Sequence, residues 1–298
     1  MEFMSVSSLK HFFETNWKDF TSTHYAGDGR LYAACQYALE GSGKRARPLL
    51  FMLFAQSVGQ ELSRSQLTIP AFALEMIHTY SLVHDDLPIF DDDDMRRGRP
   101  TVHVKFDDAT ALLVGDALLT DAWALLSGEL CGEGLCSSDS IKRMQMIRVL
   151  SSAVGSYGMV QGQMLDLIWM NKQGYQIDDL KSLHQRKTGD LIAAACKMGG
   201  IAAGVSKESI ELAGLFGSKV GLAFQVIDDL LDEHAGTGKS PGKDKEQGKL
   251  TFLQTMTYDQ AQDFARQLTN EAMDLISKWP GDCEMLKQFA QSLLHRTF

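Results

Sequence analysis

Asp85, Asp86 and Asp91 through Asp94 place six aspartates within ten residues, directly after the apolar stretch Ala71 to Val83. Carboxylates at the end of a buried helix are costly unless hydrogen bonds or cations neutralise them. A solvated acidic loop is the plain alternative, but such loops seldom begin from a segment this apolar. Hard oxygen ligands of this kind suit Mg²⁺, which keeps waters and is commonly completed by substrate phosphates. A second cluster, Asp228-Asp229-Leu230-Leu231-Asp232, closes another apolar segment. Asp228 and Asp232 stand at i and i+4, so they share one helix face, with Asp229 adjacent.

Basic residues accompany both clusters. Gly43-Lys44-Arg45-Ala46-Arg47-Pro48 opens a helix, Arg96 and Arg97 follow the first aspartates, and Lys187, Lys239, Lys243 and Lys249 surround the second. Singly, each reads as a solvated surface charge; together they are the countercharge for two diphosphates, Arg as a fork and Lys as a point charge. Gly43-Lys44 does not belong to a nucleotide-binding P-loop, because position 38 is Ala and Arg45 stands where Ser or Thr is needed. Neither aspartate cluster has the spaced ligands and central Gly of an EF-hand.

The rest of the chain is written in helical periods. Segments rich in Ala, Leu, Met and Gln alternate with Gly- and Ser-bearing breaks, only six prolines occur, and no sustained strand alternation is present. The expected fold is all-α, with helices over Leu9–Thr21, Gly29–Glu40, Arg47–Val58, Gln66–His84, Ala109–Gly128, Ser140–Trp169, Ile177–Met198, Lys207–Leu231 and Asp259–Lys278. No linker or repeat appears, which predicts a single domain over 1–298 with a central cavity between two Asp-rich helix ends. Residues 1–8 are expected to be disordered or in part a cloning remnant before Met4. A net charge of −9 leaves no broad basic face and excludes nucleic acid as the expected partner. The five scattered cysteines read as reduced thiols, with neither a disulfide framework nor a zinc site. No signal peptide and no stretch long and apolar enough to span a bilayer is apparent, so the expectation is a cytoplasmic protein without stable membrane insertion.

These residues resemble the trans-isoprenyl diphosphate synthase family, most closely its bacterial farnesyl diphosphate synthases, from about Gly41 to Thr251. The resemblance is carried by the Gly43-to-Pro48 segment, the first aspartate motif with its trailing Arg-Arg-Gly-Arg-Pro, Gly115-Asp116-Ala117-Leu118-Leu119, Lys187-Thr188-Gly189, and Phe224-Gln225-x-x-Asp228-Asp229-x-x-Asp232. It implies an isoprenoid-synthase helical bundle that joins isoprenoid diphosphates head to tail, working as a homodimer with three Mg²⁺ ions. Asp85, Asp91 and Asp228 would be the principal metal ligands, supported by Asp86, Asp229 and Asp232. The allylic diphosphate (dimethylallyl, then geranyl) would be held with Arg96, Lys187 and Lys249, and isopentenyl diphosphate against Lys44, Arg47, His78 and Arg97. The Lys187 and Thr188 carbonyls and the Gln225 side chain would face the carbocation. Tyr80, with Ser81, would floor the chain pocket and favour a fifteen-carbon product. The alternatives are a geranylgeranyl or longer-chain synthase, or a non-catalytic regulatory subunit. The chain departs from the family pattern at Gln161, where Gly is expected, at Leu253, where Pro is usual, and in a short Glu233–Lys249 loop. These departures bear on loop closure and on helix packing near Asp166.

Overall fold

Helix α1 (Val6–His24) starts where the Ser5 hydroxyl accepts the Ser8 amide, inside the first eight residues that the sequence left unstructured. The computed structural model describes residues 4–41, 43–129, 137–170, 174–232 and 250–294. They form α2 (Arg30–Leu39), α3 (Ala46–Gln56), α4 (Arg64–Asp85), the two-residue strands β1 (Met95–Arg96) and β2 (Arg99–Pro100), and α5 (Val102–Lys105). There follow α6 (Asp108–Ser127), α7 (Ser137–Val154), α8 (Met159–Trp169), α9 (Ile177–His184), a π-helical turn (Gln185–Gly189) and α10 (Asp190–Ala203). The chain closes with α11 (Lys207–Asp232), a 3₁₀ turn (Phe252–Gln254), α12 (Tyr258–Ile276) and α13 (Glu284–Leu294). The all-α expectation holds.

Two compact units divide the chain, one of residues 1–52 and 61–147, the other of 53–60 and 148–298. In the first, α4 packs on α6 and is buried along most of its length. Its start is fixed by a reciprocal cap in which Ser63 and Gln66 each accept the other's amide. Phe13, Trp17 and Phe20 from α1 close on Phe72 of α4 at ring separations of 5.1–5.7 Å. In the second unit, α11 packs on α10 and α12, and Trp279 donates to the Ser57 hydroxyl at 2.7 Å while its ring meets Phe54 edge-on.

Two expected helices differ in detail. The predicted Ser140–Trp169 helix breaks into α7 and α8, because a Cβ at Gly158 would lie 2.0 Å from the Ala153 carbonyl oxygen. The predicted Ile177–Met198 helix is continuous but widens into the π turn at its middle. α13 was not anticipated, although Leu286, Phe289, Ala290, Leu293 and Leu294 form its buried face at helical spacing. The expectation of no bilayer-length apolar stretch is corrected: Asp108–Ser127 and Lys207–Leu231 reach mean hydropathies of 1.5 and 1.4. About half of each is buried, as in the core helices of a packed bundle.

Candidate active site

In the first unit the acidic loop folds back onto the end of α4. The Asp91 amide donates to the Asp85 carbonyl at 2.9 Å and the Asp93 amide to that of Asp86 at 3.2 Å, with Asp92 in left-handed conformation. Asp86 is buried, and its Oδ1 accepts from Arg96 Nε at 2.6 Å and Nη2 at 2.5 Å. Burial pushes the Asp86 carboxyl up from its ordinary range, and the Arg96 hydrogen bond opposes it. Arg96 lies in β1, which pairs with β2 in the register Arg96 to Arg99. The turn between them places both Arg97 (φ 52°) and Gly98 (φ 76°) in the left-handed region, the pattern of a tight two-residue hairpin. That hairpin is absent from the sequence expectation.

A cluster of cations stands next to this loop. Arg47 has its Nε buried with no hydrogen-bond partner, and burial pushes its guanidinium down to about 10 against the pull of Glu75. The Arg97 guanidinium lies against Gly43, where a Cβ would stand 2.9 Å from Nη1. His78 is held neutral, its pKa well below the ordinary value through burial and then through Arg47, Arg97, Arg96 and Arg45. Lys44 is exposed. The structure thus brings Arg47, His78, Arg96 and Arg97 into one electrostatic neighbourhood.

Along α4, Tyr80 is 6% exposed, and burial followed by Asp85 pushes its hydroxyl up to about 12. Its ring meets His84 edge-on at 5.8 Å. The Ser81 hydroxyl turns back to donate to the His78 carbonyl at 2.9 Å. His84 Nε2 lies 3.0 Å from the Leu112 carbonyl, a placement open only because position 115 is glycine: a Cβ there would sit 1.9 Å from that nitrogen.

In the second unit, Lys187 and Thr188 belong to the π turn, a local widening often found where a chain does chemistry. Lys187 Nζ pairs with Asp166 Oδ2 at 2.5 Å. Gly162 makes room for the π turn, since a Cβ there would lie 2.3 Å from the Lys187 amide nitrogen. The packing therefore uses Gly162, which is present, and the departure at Gln161 leaves that contact intact. Gln225, Asp228 and Asp229 are half-buried near the end of α11. Asp229 Oδ2 accepts the Phe252 amide at 2.7 Å, and Phe252 stacks on His184 at 5.1 Å. Leu253 is half-buried in the 3₁₀ turn. The side chain of Asp232, and Lys239, Lys243 and Lys249, lie outside the described residues.

The oxygen-only donors at both helix ends fit magnesium by type. Among the described residues no three His, Cys, Asp or Glu side chains converge into a protein-only cage. Such a donor set suits a cation that keeps waters and takes phosphate oxygens from its substrate. Sequence reasoning set Arg45 among the diphosphate countercharges and missed Glu75, with which Arg45 forms a buried pair at 2.6 Å across a long stretch of chain.

Acidic helix ends with hard oxygen donors and a neighbouring cation cluster, on an all-helical frame, define a protein equipped to handle diphosphates. The chain belongs to the polyprenyl synthetase family, whose pattern matches residues 28–290. It is 41% identical over 263 residues to farnesyl diphosphate synthase of Escherichia coli K12, covering 87% of this chain and 82% of that one. It is 37% identical over 264 residues to the large subunit 1 of a heterodimeric geranylgeranyl pyrophosphate synthase of Arabidopsis thaliana, covering 85% and 68%. Among solved structures, a geranyltransferase from Helicobacter pylori complexed with magnesium and isoprenyl diphosphate superposes with a TM-score of 0.78 at 30% identity, covering 96% of each chain.

Proposed function

We infer that the chain is a prenyltransferase that condenses an allylic diphosphate, dimethylallyl and then geranyl, head to tail with isopentenyl diphosphate, giving farnesyl diphosphate. The observation that carries this reading is the acidic end of α4, joined through Asp86 to Arg96, in the same unit as the buried Arg47 Nε and the Arg97 guanidinium lying against Gly43. Asp85, Asp91 and Asp228, with Asp86, Asp229 and Asp232 in support, would hold magnesium, which would supply charge neutralisation for a leaving diphosphate. Three such ions are proposed. Arg96, Lys187 and Lys249 hold that diphosphate, while Lys44, Arg47, His78 and Arg97 hold isopentenyl diphosphate without metal. A charge pair at 4 Å is worth about 1 kcal/mol in water and about 4 at an effective dielectric of 20, so fixed cations in a water-poor site gain weight. The Lys187 and Thr188 carbonyls and Gln225 face the allylic cation as it forms. The departing diphosphate takes the final proton, and no catalytic histidine is required.

Tyr80, buried on α4 one to two turns before Asp85, blocks the path of a longer chain. We further propose a cytoplasmic homodimer. The three described cysteines, Cys35, Cys196 and Cys283, are free thiols, suited to a reducing compartment. Val160, Met164 and Ile168 on α8 are 51%, 49% and 62% exposed at helical spacing, an apolar stripe fit for a second copy.

The test incubates the purified protein with dimethylallyl and isopentenyl diphosphates, with Mg²⁺ or with EDTA, and identifies the dephosphorylated products by chromatography. Farnesol that requires Mg²⁺, and longer alcohols from Tyr80→Ala, support the reading. Geranylgeraniol from the unmodified protein keeps the chemistry and overturns the role of Tyr80. No product from folded, metal-replete protein moves a regulatory subunit to the front.

A further inference from the structure

Glu75 lies on α4 one turn before His78, is 1% exposed, and belongs to neither aspartate cluster. Its Oε1 accepts from Arg45 Nη1 at 2.6 Å. Arg45 also donates to Glu14 Oε1 at 2.9 Å and to the Gly41 carbonyl at 2.8 Å, with its guanidinium 5.7 and 5.9 Å from the ring centres of Phe13 and Trp17. The Arg45 backbone is left-handed, at φ 51°. A non-glycine residue persists in that region only where its surroundings over-determine it, and here the side chain is anchored on several sides. The strained residue directly follows Lys44 and stands two before Arg47. Its anchors therefore fix the turn that carries both.

Glu75 also acts on guanidiniums it does not touch. Burial lowers Arg47 and Arg97, and Glu75 opposes the lowering in both. Arg45, Arg47, Arg96 and Arg97 crowd one neighbourhood, as their shared effect on His78 shows. Glu75 is the buried carboxylate that pairs with Arg45 and also acts on both Arg47 and Arg97, with Asp86 adding to its effect on Arg97.

We propose that Glu75 and Arg45 are positioning residues for the diphosphate of isopentenyl diphosphate: Arg45 fixes the turn bearing Lys44 and Arg47, and Glu75 keeps Arg47 and Arg97 gathered before the anion arrives. This rests on the reading of Lys44, Arg47 and Arg97 as the site of that diphosphate.

The test is steady-state kinetics with geranyl and isopentenyl diphosphates, alongside thermal melts, on wild type, Glu75→Gln and the double variant Arg45→Met with Glu75→Leu. An apolar replacement of a buried ion pair is often neutral or stabilising, so the double variant separates folding from positioning. The expected result is a KM for isopentenyl diphosphate raised about tenfold in both variants, with the KM for geranyl diphosphate within about twofold of wild type. A double variant with a wild-type KM for isopentenyl diphosphate, or with both KM values raised alike, overturns the assignment. So does failure of both variants to fold, which would make the pair a requirement of the fold alone. A folded wild type inert toward both diphosphates overturns the proposed function itself, whereas an active wild type beside an unaffected double variant overturns only the role of the pair.

Discussion

At the end of α4 the buried carboxylate of Asp86 is met by a guanidinium, whereas at the end of α11 Asp229 is met by a backbone amide. Both partners satisfy hydrogen bonds, and the guanidinium also brings a positive charge to its carboxylate. The end of α4 thus carries its own countercharge in Arg96, while Arg47, Arg97 and Arg45 act on His78 two turns before it. The end of α11 uses Asp229 to dock the 3₁₀ turn at Phe252. The same acidic residues are therefore held in place by two different means, and substitutions separate them.

The largest expected effect is on turnover, and it is shared. Asp85→Ala and Asp228→Ala should each lower kcat/KM about 10³-fold, the loss of several kcal/mol of charge stabilisation, with melting temperatures close to wild type. Retention of activity within about tenfold in either variant would remove that carboxylate from the metal set. The next effect is on stability, and here the ends should diverge. Asp86→Ala leaves Arg96, whose side chain is 28% exposed, without its main partner, and the partial exposure brings the expected cost to about 2 kcal/mol. Asp229→Ala loses one amide hydrogen bond and should cost about 1 kcal/mol. Denaturant titrations check the order, and a reversal would mean that the amide contact, not the ion pair, is the stronger anchor.

Much of this frame is legible in the sequence because apolar periodicity and the two aspartate runs are local patterns. The helix over Lys207–Leu231 matches α11 to within one residue, and the helix expected over Gln66–His84 lies within α4. The features that escaped are those decided by distant neighbours or by single glycines. Nothing near Arg45 in sequence announces Glu75 or Glu14 as its partners. The π turn at Lys187 looks helical in pattern, and only its contact with Gly162 reveals its width. The Arg97-Gly98 hairpin is too short for strand alternation, and the break at Gly158 rests on one close approach to the Ala153 carbonyl. The periodicity of α13 was readable, and the Pro280-Gly281 step before it marks where a new helix could begin.

The smallest expected effect belongs to the end of α4 alone and is read through pH. Burial and then Arg47, Arg97, Arg96 and Arg45 hold the folded-state pKa of His78 well below its ordinary value near 6.5. The unfolded chain therefore binds a proton at this residue as pH falls through about 6.5, while the folded chain does not, and stability declines from there toward the depressed folded value. Asp86 has the opposite sign, because its folded pKa is raised from 3.8, so its protonation favours the folded state. His78→Gln should flatten the fall in melting temperature below about pH 6.5 by about 2–4 °C relative to wild type. An unchanged slope would show that His78 gains its proton in the folded state, and the cations around it would then have to stand further from the ring than their effect on it requires.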